Sequence, residues 1–131
     1  METIAFIGGG PASHFIFKRI AEAKLTEYKI HIFEQHDKLG AGMPYSKHSA
    51  CNENITNESD NQIPGIKSHV NDWISTAAPQ ILEEFAMNQV KLNEYKVLPR
   101  VLFGEYLAVQ FDLLLKEANT SGIQTEIHLN T

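Results

Sequence analysis

The spacing of apolar positions shifts along this chain, and the shifts mark its elements. Thr3-Ile4-Ala5-Phe6-Ile7 is a near-continuous apolar run rich in β formers. Such a run fits a strand covered on both faces, as in a parallel sheet. Gly8-Gly9-Gly10 closes it, and Pro11 suits the first turn of a helix. Ile16, Ile20 and Ala23, with Phe15 beside them, recur at helical spacing and predict the buried stripe of that helix. Fraying is expected near Lys24 to Thr26. Lys29 to Phe33 predicts a second strand, closed by Glu34. Strand, glycine turn, helix and strand within about 30 residues have the size of a βαβ unit.

From Gln35 to Leu98 the pattern is irregular, broken by Gly40, Gly42, Pro44, Pro64 and Gly65. The polar, asparagine-rich stretch from Asn52 to Asn61 predicts a loop. Asp72-Trp73-Ile74 predicts a short helix, with Trp73 in the core. Pro79 to Met87 predicts another, with Ile81, Leu82 and Phe85 on one face. Pro99 opens the longest helix, whose predicted buried stripe is Leu102, Tyr106, Val109 and Leu113. Gly122 stops it, as glycine past a helix C-terminus often does. Ile123 to Leu129 alternates and predicts a third strand. The fold class that follows is α/β: a Rossmann-like fold with a partial parallel sheet of three strands, in the order 3-2-1, and a helical insertion.

Composition narrows the function classes. The 131 residues fit a single domain and carry a formal net charge of −5. That excess disfavours nucleic acid and anionic membranes, which need basic patches. No apolar run approaches the roughly 20 residues that span a bilayer, and no signal peptide is visible. Cys51 is the only cysteine, so neither an intrachain disulfide nor a cysteine metal cluster is expected. A reducing compartment, by default the cytoplasm, is expected.

The chemistry concentrates at Gly8-Gly9-Gly10-Pro11-Ala12-Ser13. A dinucleotide-binding turn carries glycines at its first, third and sixth positions. Gly8 permits the tight exit from the strand. Gly10 lets a pyrophosphate approach the backbone. The helix start supplies unpaired N–H groups and the positive end of a dipole. The sixth position is Ser13, a departure at a site where glycine allows close helix–strand packing. Glu34 lies about 20 residues further on, the spacing of a ribose-binding carboxylate. A carboxylate there repels a 2′-phosphate, so NADP is not expected at this turn. The long stretch between Glu34 and Ile123 exceeds one crossover helix and suits a flavin domain better than a simple NAD-binding half. FAD is therefore the expected cofactor.

Further segments carry a family resemblance: Leu39-Gly40-Ala41-Gly42-Met43-Pro44-Tyr45-Ser46, Asn54-Ile55-Thr56-Asn57, Ile63-Pro64, Asp72-Trp73-Ile74, and Pro99-Arg100-Val101-Leu102-Phe103-Gly104-Glu105-Tyr106-Leu107. Together they resemble the bacterial FAD/NAD(P)-binding flavoproteins, relatives of flavin-dependent monooxygenases and glutathione-reductase-type enzymes. Typical members are several times longer, with a second dinucleotide site for NAD(P)H. The resemblance therefore implies that residues 1–131 form the N-terminal FAD-binding portion of a longer flavoprotein fold. Gly40 and Gly42 would let the chain turn beside the cofactor. Arg100, at a helix start where it opposes the dipole, has two readings, a pyrophosphate partner or a surface ion pair. The resemblance favours the first.

Other constellations are weak. The histidines His14, His31, His36, His48, His69 and His128 include no pair with the i, i+4 spacing of a helical zinc motif, so no metal site is expected. His14 has two readings, phosphate contact or a capping and solvent role. His31 and His128 read as structural or exposed strand residues. No catalytic residue is assigned, because flavin chemistry belongs to the cofactor. Two functions lead: the FAD-binding portion of an NAD(P)H-dependent flavoprotein oxidoreductase, monooxygenases included, or a truncated, non-catalytic nucleotide-binding module; a small NAD-binding regulatory domain is a third, weaker reading. Either way these residues alone are expected to be catalytically silent. They are also expected to self-associate through the uncovered strand Ile4 to Ile7.

Overall fold

The computed structural model describes residues 1–51, 55–56, 65–77, 79–85 and 98–131. Three strands, β1 (Glu2–Ile7), β2 (Tyr28–Phe33) and β3 (Gln124–His128), form a parallel sheet in the order β1-β2-β3. Helix α1 (Pro11–Glu22) crosses from β1 to β2. The stretch between β2 and β3 holds α2 (Gly42–Tyr45), α3 (Val70–Thr76), α4 (Pro79–Glu84) and α5 (Arg100–Thr120). This is the Rossmann-like α/β layout expected from the sequence. Helix α2 falls in a stretch that the broken pattern leaves irregular. The predicted loop from Asn52 to Asn61, Ile63-Pro64 and the end of the helix predicted to reach Met87 fall largely or wholly outside the described residues.

The core divides in two. Under the sheet, Ile30 and Ile32 of β2 meet Phe17 and Ile20 of α1 and Phe111, Leu114 and Ala118 of α5. At the other end of α5, Leu102, Tyr106 and Leu107 gather Val70, Ile74, Phe85 and Leu98. Trp73 packs on this second cluster, its ring edge-on to Tyr106 at 5.8 Å. Gly122, at φ +97°, ends α5, and Ile123 N–H donates back to the Ala118 carbonyl at 3.0 Å. That is a glycine stop in the left-handed region, where a Cβ is strained.

Both long helices are turned relative to the stripes predicted for them. In α1 the buried residues are His14, Phe17 and Ile20, while Ile16 is exposed. His14 and Phe17 both stack on Phe111 of α5, at 4.4 and 5.9 Å. In α5 the stripe continues from Tyr106 through Gln110, Phe111, Leu114 and Ala118, and leaves Val109 and Leu113 exposed.

Candidate nucleotide-binding site

The glycine turn sits at the C-terminal end of β1, where ligands of parallel α/β sheets collect. Gly8 has φ +103°, which its lack of a Cβ permits. Its N–H donates to the Phe33 carbonyl at 2.8 Å, so the turn is fastened to the end of β2. Ser13 Oγ donates to the Gly8 carbonyl at 2.5 Å. The residue that departs from the glycine pattern thus ties the helix back to the turn. Gly10 is the N-cap of α1, Pro11 follows it, and no side chain caps the helix. The first-turn N–H groups have no intrahelical acceptor and remain available to an anion.

Glu34 is buried beside this turn. Its Oε2 accepts from Gly9 N–H at 2.8 Å and its Oε1 from His36 N–H at 3.0 Å. An ionised carboxylate offers about four lone-pair directions, so about two remain for further donors. Its backbone is held as well. Glu34 N–H donates to the His128 carbonyl at 2.8 Å, and Thr131 N–H donates to the Glu34 carbonyl at 3.1 Å. The carboxylate is fixed at the end of the sheet, one hydrogen bond from the glycine turn.

The 40–42 turn closes over the same place. Gly40 N–H donates to the Gly9 carbonyl at 2.6 Å. Gly40 has φ +104°, and a Cβ on it would lie 2.7 Å from the Leu107 carbonyl oxygen of α5. A Cβ on Gly10 would lie 3.2 Å from Gly42 Cα, and one on Gly42 2.8 Å from Pro11 Cδ. Gly10 and Gly42, both expected beside the cofactor, thus lie against each other, while Gly40 lies against the backbone of α5. Gly104 was not singled out from the sequence: a Cβ there would collide with the Tyr45 carbonyl, so its bareness lets α2 lie on α5. A glycine inside a helical pattern was the available signal.

A hollow of about 500 Å³ opens at the turn, lined by Gly8, Gly10, Pro11, Ala12, Ser13, Glu34, His36, Gly42 and Thr131, among others. A second, of about 310 Å³, shares Glu34, His36 and Gly42 with it and extends past Lys38 and Tyr45 to His48. His36 and His48 stack at 4.1 Å on its wall; neither was assigned a role from its sequence context. Gly9 lines neither hollow: it packs behind the turn, against Leu39 and Glu34. Arg100 also lines neither, and its Nε donates to the Ile55 carbonyl at 2.8 Å. His14 is neither a phosphate contact nor a cap. It is fully buried, with no hydrogen-bond partner on either ring nitrogen, and burial pushes its pKa down to about 4.

Residues 5–131 match the FAD-NAD(P)-binding family. The chain belongs to that family. A relative from Escherichia coli (strain K12), the uncharacterized protein YdhS, is 31% identical over 118 residues, which are 90% of this chain and 22% of the relative. The chain thus spans about a fifth of that relative's length. A solved structure, THI4 of Thermovibrio ammonificans, is similar at 19% identity with a TM-score of 0.40, over 96% of this chain and 37% of the other. The family's cofactors are dinucleotides, and the hollow offers the groups such a ligand needs: bare backbone, an uncapped helix start and a fixed carboxylate. Among the described residues no helix is long and apolar enough to cross a membrane.

Proposed function

We propose that this chain is the N-terminal, FAD-binding portion of a longer NAD(P)H-dependent flavoprotein oxidoreductase, with monooxygenases among the candidates. The observation that carries the reading is Glu34, buried and hydrogen-bonded to Gly9 at the mouth of the glycine turn. A pyrophosphate would lie on the first-turn N–H groups of α1 beside Gly8, Gly10, Pro11, Ala12 and Ser13. The adenosine ribose would donate to the free lone pairs of Glu34, and the adjoining hollow past His36 leaves room for the base. Bound FAD supplies redox chemistry; these residues hold and orient its adenosine half. Arg100 lies outside both hollows, with its Nε on the Ile55 carbonyl, and is not used in this assignment. The relative's greater length supports a larger whole; the resemblance implies a separate NAD(P)H site within it. The lone Cys51 suits a reducing cytoplasm.

The carboxylate also selects among dinucleotides, because a 2′-phosphate placed at Glu34 meets a fixed negative charge. Calorimetric titration of the chain with FAD, ADP, NAD and NADP is expected to rank FAD and ADP above NADP. Glu34→Gln keeps an acceptor for Gly9 and is expected to weaken FAD binding by about 1–3 kcal/mol. NADP binding more tightly than FAD would overturn the assignment. If no dinucleotide binds, the second reading, a non-catalytic remnant of the module, takes its place.

A further inference from the structure

The sheet face away from α1 and α5 carries its own cluster of ligating side chains. In the parallel register His31 of β2 lies opposite Glu126 of β3, and Phe33 opposite His128. Register partners and alternate residues share a face, so His31, Glu126 and His128 stand together. His31 Nδ1 is 3.0 Å from His128 Nε2. Glu126 reaches both rings, with Oε2 3.8 Å from His31 Nε2 and Oε1 3.6 Å from His128 Nε2. One ligand atom from each residue lies within 4.8 Å of the other two.

We propose that His31, Glu126 and His128 bind a divalent transition-metal ion of the zinc class. Ligand atoms at ~2.0–2.2 Å from one ion stand roughly 3–3.5 Å apart, the spacing of His31 Nδ1 and His128 Nε2 here, with Glu126 Oε1 next at 3.6 Å from His128 Nε2. Two imidazoles and a carboxylate are a donor set that zinc takes in open sites, with the remaining position left to solvent. The three side chains are 21%, 47% and 30% exposed in chain order, so an ion reaches them without unfolding. The rings are held in near-parallel planes: Phe33 stacks on His128 at 4.4 Å, and His31 lies alongside at 5.3 Å. Lys29 Nζ donates to Glu126 Oε2 at 2.8 Å, which steadies the carboxylate and holds its carboxyl below the usual range. An ordered carboxylate partner is the kind of outer contact that orients ligands. The same ammonium opposes an incoming cation, so the imidazoles carry most of the affinity. A bound ion clips β3 to β2. The two histidines stand 97 positions apart on separate strands, which is why zinc-motif spacing passes over them.

The competing account is a hydrogen bond between two imidazoles with no ion. Zinc titration calorimetry on the metal-stripped 131-residue chain separates the two. One saturable zinc per chain is expected, at least about tenfold weaker in His31→Ala and in His128→Ala. Zinc is also expected to raise the melting temperature of the parent more than that of those variants. Cobalt, as a spectroscopic stand-in, is expected to give a visible ligand-field band in the parent at one equivalent. His36→Ala, which breaks the other stacked histidine pair, is expected to leave zinc binding unchanged. Absence of saturable zinc binding and of the cobalt band in the parent overturns the site. So does undiminished affinity in the His31→Ala, His128→Ala double variant, or a loss in His36→Ala as large as in His31→Ala.

Discussion

Burying an imidazole with no partner on either ring nitrogen costs desolvation that stacking only partly offsets. At His14 the offset is the 4.4 Å stack on Phe111. Burial holds its folded pKa near 4, against an ordinary value of 6.5. As pH falls through 6.5 the unfolded chain takes up a proton, while the folded ring stays neutral until about 4. The unfolded state therefore binds more protons in that window, and stability falls with falling pH. The loss is bounded at about 3 kcal/mol. His14→Leu is expected to remove this contribution. Urea unfolding of parent and variant at neutral pH and at the acid end of the window checks it: the variant should lose less stability on acidification. Equal losses would show that His14 is not the acid-sensitive group. The sequence left His14 between phosphate contact and solvent because a histidine after a glycine turn is read as polar. Glu34 was legible for the opposite reason: its spacing from the turn fixes its position at the end of β2, whatever packs around it.

At the scale of elements, the strands and the other helices were legible, α2 was not, and the faces of α1 and α5 were read only in part. Composition and punctuation decide existence: β formers up to Gly8, proline at the start of α1, glycine after α5. Faces depend on which residues count as apolar. The true stripe of α1 runs through His14, and that of α5 through Gln110; each polar residue diverted the reading to a neighbouring apolar row, Ile16 or Val109 and Leu113. Gln110 is buried because it has backbone to hold. Its Oε1 accepts from the N–H groups of Lys67 and Ser68 at 2.7 and 2.8 Å, and its Nε2 donates to Ser68 Oγ at 3.2 Å. Tyr106 Oη, one turn earlier, donates to the Ser68 carbonyl at 2.7 Å. One helix face thus clamps the segment that leads into α3, and α3 closes the second core. Gln110→Leu fills similar space but strands two backbone donors. It is expected to cost about 1–3 kcal/mol in denaturant unfolding, with faster amide exchange at Lys67 and Ser68. A neutral outcome would mean that water replaces the amide there without loss.

At the scale of the molecule, the sheet is covered on one side by α1 and α5, while β1 and β3 are its edges among the described residues. The parallel order was legible because a glycine turn, a crossover helix and a second strand permit little else. Two of the exposed apolar surfaces among the described residues lie at the sheet. Ile7, at the end of β1, is 85% exposed. Between α5 and β3, the side chains of Leu39, Val109, Leu113, Ile127 and Leu129 line a groove of about 460 Å³. Val109 and Leu113, misplaced in the core by their periodicity, are part of this groove. The β1 edge from Thr3 to Ile7 carries neither charge nor proline, the usual protections of an edge strand. A second copy of the chain can cover both surfaces, so the 131 residues on their own are expected to self-associate. Light scattering after size exclusion should give a mass that rises with concentration. Leu113→Glu, on the exposed side of α5, should lower that mass without altering far-UV circular dichroism, because the groove and not the core loses an apolar group. A constant monomer mass for the parent over the same range would mean that neither the edge nor the groove is sticky enough to draw copies together.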